Sequence, residues 1–391
     1  MGKKVYLDSA ATTYVSSEVM AEMLPCFNAI YGNTNSVHSY GRDALAILDR
    51  ARDRIAHAIN AEKAGEIYFT SGGTEADNWA IKGLAYANKD KGKHIITSMI
   101  EHHAILDACK DLENEGFEVT YVPVDSTGLV DISQIIHAIK KETTVISIMS
   151  VNNEVGTIQN IKAIAKLAHE YGIIFHTDAV QAIGALKLDV QDMEIDAMTI
   201  SAHKIYGPKG AGCLYVKNGI KIDPLIVGGS QERGKRGGTV NLPAVAGFGK
   251  AMEIASRDMA INSQKIRAIR EYFLRNITAK IPYIQVNGHP HQKVASIVNI
   301  GFEMVDKESL LMLLDMEGIA VSTGSACTSH AVEESHVLKA MNVPSEFANG
   351  SIRFSFGKNI SKTDVDYVVD KIVECVERLR SISALTKAGR K

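Results

Sequence analysis

Between residues 65 and 216 short β-rich runs alternate with longer amphipathic stretches, and this alternation restricts the fold more than any other feature of the chain. The runs are EIYFT (66–70), HIITSM (94–99), FEVTYV (117–122), TVISIM (144–149), GIIFHT (172–177), DAMTI (196–200) and GCLYV (212–216). Between them, segments 75–90, 102–115, 131–140 and 161–171 carry apolar residues at helical spacing, and Asn88, Gly92, Gly116 and Gly172 punctuate the joints. Strands that alternate with helices build a mostly parallel sheet covered by those helices. The pattern therefore predicts an α/β protein.

The rest of the chain reads as a second unit. After a Gly-rich stretch at 228–238, a long helical segment over 243–277 leads to an α+β portion whose last helix starts at Ser361. Ser361 and Asp364 have the form of a capping box, and Val365, Val368, Val369, Ile372 and Val376 form a buried stripe. The N-terminal strand KVYLD (4–8) is expected to join this unit. A length of 391 residues suits one large core and a smaller one. The expected division is a large domain over 15–258 and a small α+β domain built from 1–14 and 259–391.

Charge and cysteine usage exclude several classes. Lys and Arg number 43 against 45 Asp and Glu, a net charge of −2, so no electrostatic attraction favours nucleic acid or an anionic membrane. The first residues lack an apolar stretch of leader length, no membrane span is read, and a cytoplasmic protein is expected. Five scattered cysteines with no CxxC pair argue against a disulfide framework and against a metal site. Cys26, Cys109, Cys213 and Cys375 lie in apolar or helix-like contexts and read as core. Cys327 differs, because Ser322-Thr323-Gly324-Ser325-Ala326-Cys327-Thr328-Ser329 has loop composition.

In open α/β sheets ligands bind beyond the carboxyl ends of the strands. After EIYFT comes Ser71-Gly72-Gly73-Thr74-Glu75, a turn whose glycines and following helix N-terminus could cradle a phosphate, or simply join strand to helix. Neither GxxxxGK[ST] nor a GxGxxG after a strand occurs. After HIITSM come Glu101-His102-His103; adjacent histidines on a helix point to different sides, so one functional histidine is the expectation. Asn152 and Asn153 follow TVISIM, and Asp178 follows GIIFHT, three residues before Gln181. A buried Asp at a strand end requires a cation, and a pyridinium nitrogen would serve. Ser201-Ala202-His203-Lys204 follows DAMTI and sets a lysine at another strand end. A lone lysine is usually a solvated charge. With Asp178, the Thr74 turn, Ser201 and His203, it completes the needs of pyridoxal 5'-phosphate (PLP): a Schiff-base lysine, an acid for the ring nitrogen and a phosphate cup.

The sequence closely resembles the cysteine desulfurases of the NifS/IscS type, class-V members of the PLP-dependent aspartate-aminotransferase-like fold. The resemblance rests on YLDSAATT, GNTNSVHSYG, FTSGGTEADNWAIKG, EHHAIL, VNNEVGTIQ, HTDAVQ, SAHKIYGPKG, ERGKRGGT, STGSACTS and SIRFSFG, in that order along nearly the whole chain. It implies a seven-stranded, mostly parallel sheet, with Lys204 bearing PLP as a Schiff base. Asp178 would face the ring nitrogen, Gln181 the ring oxygen and His102 the ring face. Gly73, Thr74, Ser201 and His203 would hold the phosphate. Thr239 would reach the cofactor of a neighbouring subunit, which implies a homodimer. Arg353, with Asn33 and Asn153, would grip the substrate carboxylate.

The implied reaction converts L-cysteine to L-alanine and leaves the sulfur on Cys327 as a persulfide, with His102 helping to form the thiolate and Lys204 moving the α-proton. A mobile Cys loop, about 323–340, would then deliver sulfur to an iron–sulfur scaffold protein or to tRNA thiolation, with Cys327 also a candidate transient iron–sulfur ligand. The short C-terminal SISALTKAGRK leaves the scaffold's identity open. Selenocysteine lyase, another PLP lyase or aminotransferase, and a carrier that has lost catalysis are the alternatives.

Overall fold

The computed structural model describes residues 3–324 and 334–382. Cys327, the middle of the loop expected over 323–340 and the tail beyond Ile382 lie outside them. The strands are β1 (Val5–Tyr6), β2 (Ile67–Thr70), β3 (His94–Ser98), β4 (Glu118–Val122), β5 (Thr143–Ser147), β6 (Ile174–Asp178), β7 (Ala197–Ser201), β8 (Gly212–Val216), β9 (Ile284–Asn287), β10 (Ile297–Phe302), β11 (Ile319–Ala320) and β12 (Ser351–Ser355).

Among the described residues β2 to β8 form one seven-stranded sheet in the order β2-β8-β7-β6-β5-β3-β4. Only β8 runs antiparallel to its neighbours β2 and β7; the other pairs are parallel. The apolar runs of the sequence become these strands, shifted by no more than about two residues. Helices cover the sheet, so β3, β5, β7 and β8 are buried at every position. That is why their sequences are nearly continuous in Val, Ile, Leu and Thr rather than alternating.

The second unit has an antiparallel sheet in the order β12-β10-β9. β1 pairs in parallel with β11, and a bridge joins Asp8 to Ser355 of β12, so the N-terminal strand belongs to this unit. Val5, Leu7, Phe273, Phe302, Phe354 and Val365 share one apolar core here, distinct from the core beneath the large sheet. Ser361 caps the last helix as the sequence suggests: Asp364 N–H donates to Ser361 Oγ (3.2 Å) and Ser361 N–H to the Asp364 carboxylate (2.9 Å).

The helix Leu242–Lys280 serves both cores, burying Leu242 to Ile254 under the large sheet and Ile269, Phe273 and Ile277 in the small unit. Its Gly249 abuts the helix Ser39–Ala58, where a Cβ would lie 2.6 Å from Ala51 Cα. Only glycine lets the two helices approach so closely. The helix His336–Ala340 follows the small unit's strands in sequence, yet Val337 and Leu338 pack into the large sheet's core. This brings the chain after the Cys segment back to the large domain. No helix among the described residues is long and apolar enough to cross a membrane.

A buried ion pair ties the sheet edge to its covering helix. Both terminal Arg52 nitrogens meet the Glu232 carboxylate at 2.7 Å, while Arg52 also donates to Ile67 O and Glu232 accepts Phe69 N–H. Removing one partner strands a buried charge. Arg52→Met should therefore lower stability by about 3–5 kcal/mol in urea unfolding, and adding Glu232→Gln should recover much of that loss. A single-variant loss below about 1 kcal/mol would show that the pair is not structural.

Candidate active site

The strand ends of the large sheet converge on one cavity of about 280 Å³. β2 ends at the turn before the helical stretch that starts at Gly73, β3 leads through a short turn to Glu101-His102, β6 ends at Asp178 and β7 at Ser201. Parallel strands present the same end to the same side of the sheet, so residues more than a hundred positions apart meet there.

At one wall stand Gly73, Thr74, Ser201 and His203. A Cβ at Gly73 would come within 3.0 Å of Val180 Cγ2, so this cradle is open because the residue is glycine. Ser201 Oγ is buried without a hydrogen-bond partner among the described residues. A buried hydroxyl left unpaired marks a place for a polar ligand atom. His203 Nδ1 lies 3.1 Å from Thr12 Oγ1, and burial followed by Lys204 and Lys209 pushes its pKa down to about 4. Below the turn, Glu75 accepts Ser71 N–H (2.8 Å) and binds Arg236 through both oxygens.

The floor of the cavity is acidic. Asp178 is 6% exposed and accepts Val180 N–H at 2.8 Å. Burial raises its pKa, while His102 and Lys204 pull it down. Asp77, 2% exposed, also lines the cavity, and its Oδ1 has no partner among the described residues. Burial first, then the charge of Asp178, holds Asp77 well above the usual carboxylate range. Glu101 is fully buried, and burial lifts it to about 8 against hydrogen bonds from Ser98 and Met149. A relay lies behind Asp77: Thr199 hydrogen-bonds it, and Thr199 Oγ1 meets His176 Nε2 at 3.1 Å. His176 is held neutral by burial, with a pKa near 3.

His102 and His103 both line this cavity, against the expectation that adjacent histidines diverge. The helix begins at His103, so His102 sits outside it in extended conformation as the N-cap. Its Nδ1 accepts Ala104 N–H at 3.1 Å. Burial lowers its pKa, so the ring is neutral near pH 7 and carries its proton on Nε2. His336 also lines the cavity, donating through Nε2 to Glu101 O at 2.9 Å, with its ring 4.8 Å from that of His103.

Opposite Asp178, Lys204 Nζ donates to Ala10 O and, at 2.8 Å, to Ala11 O. Gln181 Nε2 donates to the same Ala10 O at 3.0 Å. Arg353 enters from β12 at 2% exposure. It donates to Asn153 O (3.0 Å) and Gly324 O (3.4 Å), and pairs with Asp8 at 2.9 Å. Asn153 lines the cavity beside it. Glu154 accepts Ser335 Oγ–H at 2.6 Å, so Gly324 and Ser335, either side of the undescribed 325–333, are both anchored at this wall.

Ten of the residues singled out from sequence thus share one cavity: Gly73, Thr74, His102, Asn153, Asp178, Gln181, Ser201, His203, Lys204 and Arg353. Asn33 and Thr239 do not line the cavity of this chain. Both are exposed, Asn33 in a loop where it accepts its own neighbour's Asn35 N–H, and Thr239 after the Gly-rich stretch. Cys327 lies outside the described residues. Asp8, Asp77, Glu101, Glu154 and His336 are site residues that reading along the chain did not assign. Asp8 and Asp77 stand inside motifs already noted, YLDSAATT and FTSGGTEADNWAIKG, and Ser335-His336 has the form of a helix cap. The set fits a phosphorylated aromatic ring that brings an anion to Ser201 and a cation to Asp178.

Known proteins are similar to this chain in sequence and in fold. The cysteine desulfurase IscS of Methanosarcina thermophila is 50% identical over 384 residues, covering 98% of this chain and 95% of that protein. A solved NifS-like protein superposes with a TM-score of 0.91 at 35% identity, over 96% of this chain and 100% of that one. The structure of SspA in complex with cysteine gives a TM-score of 0.81 at 36% identity, over 90% and 98% of the two chains. The family model of aminotransferase class V matches residues 5–368, and the chain belongs to that family.

Proposed function

We propose that this protein is a PLP-dependent cysteine desulfurase that moves the sulfur of L-cysteine onto Cys327, releases L-alanine and hands the sulfur to an acceptor. The observation that carries this reading is that one cavity is lined by Lys204, Asp178 and Arg353, and also by Gly324 and His336, which flank the segment holding Cys327. The names of the relatives, cysteine desulfurase IscS and NifS-like protein, support the same activity.

The residues present fit PLP. Gly73, Thr74, Ser201 and His203 would hold its phosphate, Asp178 its ring nitrogen, Gln181 its ring oxygen, and Lys204 its aldehyde carbon as a Schiff base. Bound there, it would supply an electrophilic carbon for the substrate amine and a sink for electrons. The chain does the rest. Asp178 is ionised when a cation faces it, and Asp77 keeps its proton because a second charge so close is disfavoured. Arg353 holds the substrate's α-carboxylate beside Asn153, while Lys204 Nζ, steadied by the carbonyls of Ala10 and Ala11, moves the α-proton. His102, which lines the cavity with its Nδ1 held by Ala104 N–H, would lie against the ring and assist proton transfer through Nε2. The Cys327 thiolate would attack the substrate sulfur, so that an S–S bond forms as the substrate's Cβ–S bond breaks; the electron pair of that bond stays with the carbon skeleton, which is protonated and leaves as alanine.

Active protein is proposed to be a homodimer. Leu24, Phe27, Tyr31 and Tyr40 before and after Asn33, and Val227 ahead of Thr239, are large apolar side chains left exposed, and they support a partner subunit that would bring Thr239 to the neighbouring cofactor. A cytoplasmic location, the domain division at 14/15 and 258/259, and an iron–sulfur scaffold or tRNA-thiolation acceptor belong to the same proposal.

Two outcomes test it. Cys327→Ala should lose essentially all alanine formation from L-cysteine, and retained turnover would mean that no thiol takes the sulfur. His102→Gln should slow alanine formation by about 10²–10⁴-fold. Burial holds His102 below its ordinary value of 6.5, so the acid limb caused by its protonation, in which Ala104 N–H loses its acceptor, should lie below that pH. The same acid limb in His102→Gln would remove His102 from the proton path.

A further inference from the structure

We propose that Asp8 is a positioning residue that fixes which edge of Arg353 meets the substrate's α-carboxylate, an inference that rests on reading Arg353 as the carboxylate site. A guanidinium has five N–H bonds: two on each terminal nitrogen and one on Nε. In Arg353 one terminal nitrogen donates to Asn153 O and Gly324 O, and the other meets Asp8 Oδ1 at 2.9 Å. Nε is buried and has no partner among the described residues. Three protein acceptors thus occupy the far end of the fork. The Nε edge, with the second N–H of the nitrogen that Asp8 holds, remains for a ligand. A carboxylate fits that edge with two parallel hydrogen bonds.

The backbone fixes Asp8 relative to Arg353. Ser355, two residues along β12 from Arg353, donates its N–H to Leu7 O at 2.7 Å and accepts Ser9 N–H at 3.2 Å. Asp8 is therefore held between two ladder bonds on the strand next to the arginine. The pair is largely closed from water, with side-chain exposures of 3% for Arg353 and 19% for Asp8. Two and three residues later the same segment offers Ala10 O and Ala11 O to the Lys204 amine. One short stretch of backbone thus sets the spacing between the place for a substrate's nitrogen and the place for its carboxylate. An α-amino acid carries these groups on a single carbon, so Asp8 would help select that class over amines and acids that lack one of them.

The test uses the full-length holoenzyme and two fragments of cysteine, neither of which can yield alanine, measured by calorimetric titration. 3-Mercaptopropionate keeps the thiol and carboxylate; cysteamine keeps the thiol and amine. Asp8→Ala should weaken 3-mercaptopropionate about 10-fold, as expected for a misplaced charged hydrogen-bond donor, and leave cysteamine within about two-fold. Asp8→Asn retains an acceptor for Arg353 and should lose about three-fold or less. With L-cysteine, the Asp8→Ala change should raise KM more than it lowers kcat. Unchanged 3-mercaptopropionate affinity in Asp8→Ala, equal loss of both fragments, or an Asp8→Asn as weak as Asp8→Ala would each overturn the proposal. If Asp8→Ala does not fold, Asp8→Glu, which displaces the carboxylate by one methylene, replaces it under the same criteria. Arg353→Ala separates the underlying reading: if that variant binds 3-mercaptopropionate like wild type, Arg353 is not the carboxylate site. If Arg353→Ala loses binding while Asp8→Ala does not, only the role of Asp8 fails.

Discussion

The carboxyl end of the central sheet buries more acid than an apolar interior can ionise. Asp178, Asp77 and Glu101 are all less than a tenth exposed, and each has its pKa raised with burial as the leading cause. Such a cluster persists only if protons stay on some of its members and a cation meets the rest. Glu101 is accommodated by Ser98 and the backbone of Met149, and Asp77 by Thr199. Asp178 is the member that faces Lys204 and His102 in the cavity, and it is the natural seat for a positively charged ring. The acid/base arrangement of the site follows from this unequal sharing of protons.

A second constraint is that the two cations of the cavity, Lys204 and Arg353, belong to different cores. Lys204 closes the short turn that follows β7 of the large sheet, whereas Arg353 sits in the small unit's β12. The N-terminal segment joins them. Asp8 bridges to β12, Ala10 and Ala11 accept from Lys204, and Thr13 exchanges bonds with His203 O and Tyr206 N–H. The helix Leu242–Lys280 supplies the other rigid link. Relative movement of the units would therefore alter the distance between the amine and carboxylate positions.

Much of this was legible in the sequence, for physical reasons. Parallel strands buried on both faces leave long apolar runs, so the sheet could be read, and the rule that ligands gather at strand ends brought Asp178, Ser201 and Lys204 together. Local patterns could not reveal partners distant in sequence: Asp8 and Arg353 meet across 345 positions, Ser335 and Glu154 across 181. The histidine pair was misread because the helix starts one residue later than the apolar pattern suggests, which leaves His102 as a cap. Asn33 and Thr239 were assigned roles by resemblance, and a single chain does not carry either to the cavity.

The central claim is that sulfur leaves cysteine and arrives on Cys327. It is tested most directly by incubating the full-length holoenzyme with one equivalent of L-cysteine under anaerobic conditions, blocking free thiols and determining the mass of the peptide that contains Cys327. The account predicts one added sulfur on that peptide, absent from the peptides holding Cys26, Cys109, Cys213 and Cys375, which are all buried. Stoichiometric alanine with no sulfur on Cys327, or sulfur on another cysteine, would contradict it.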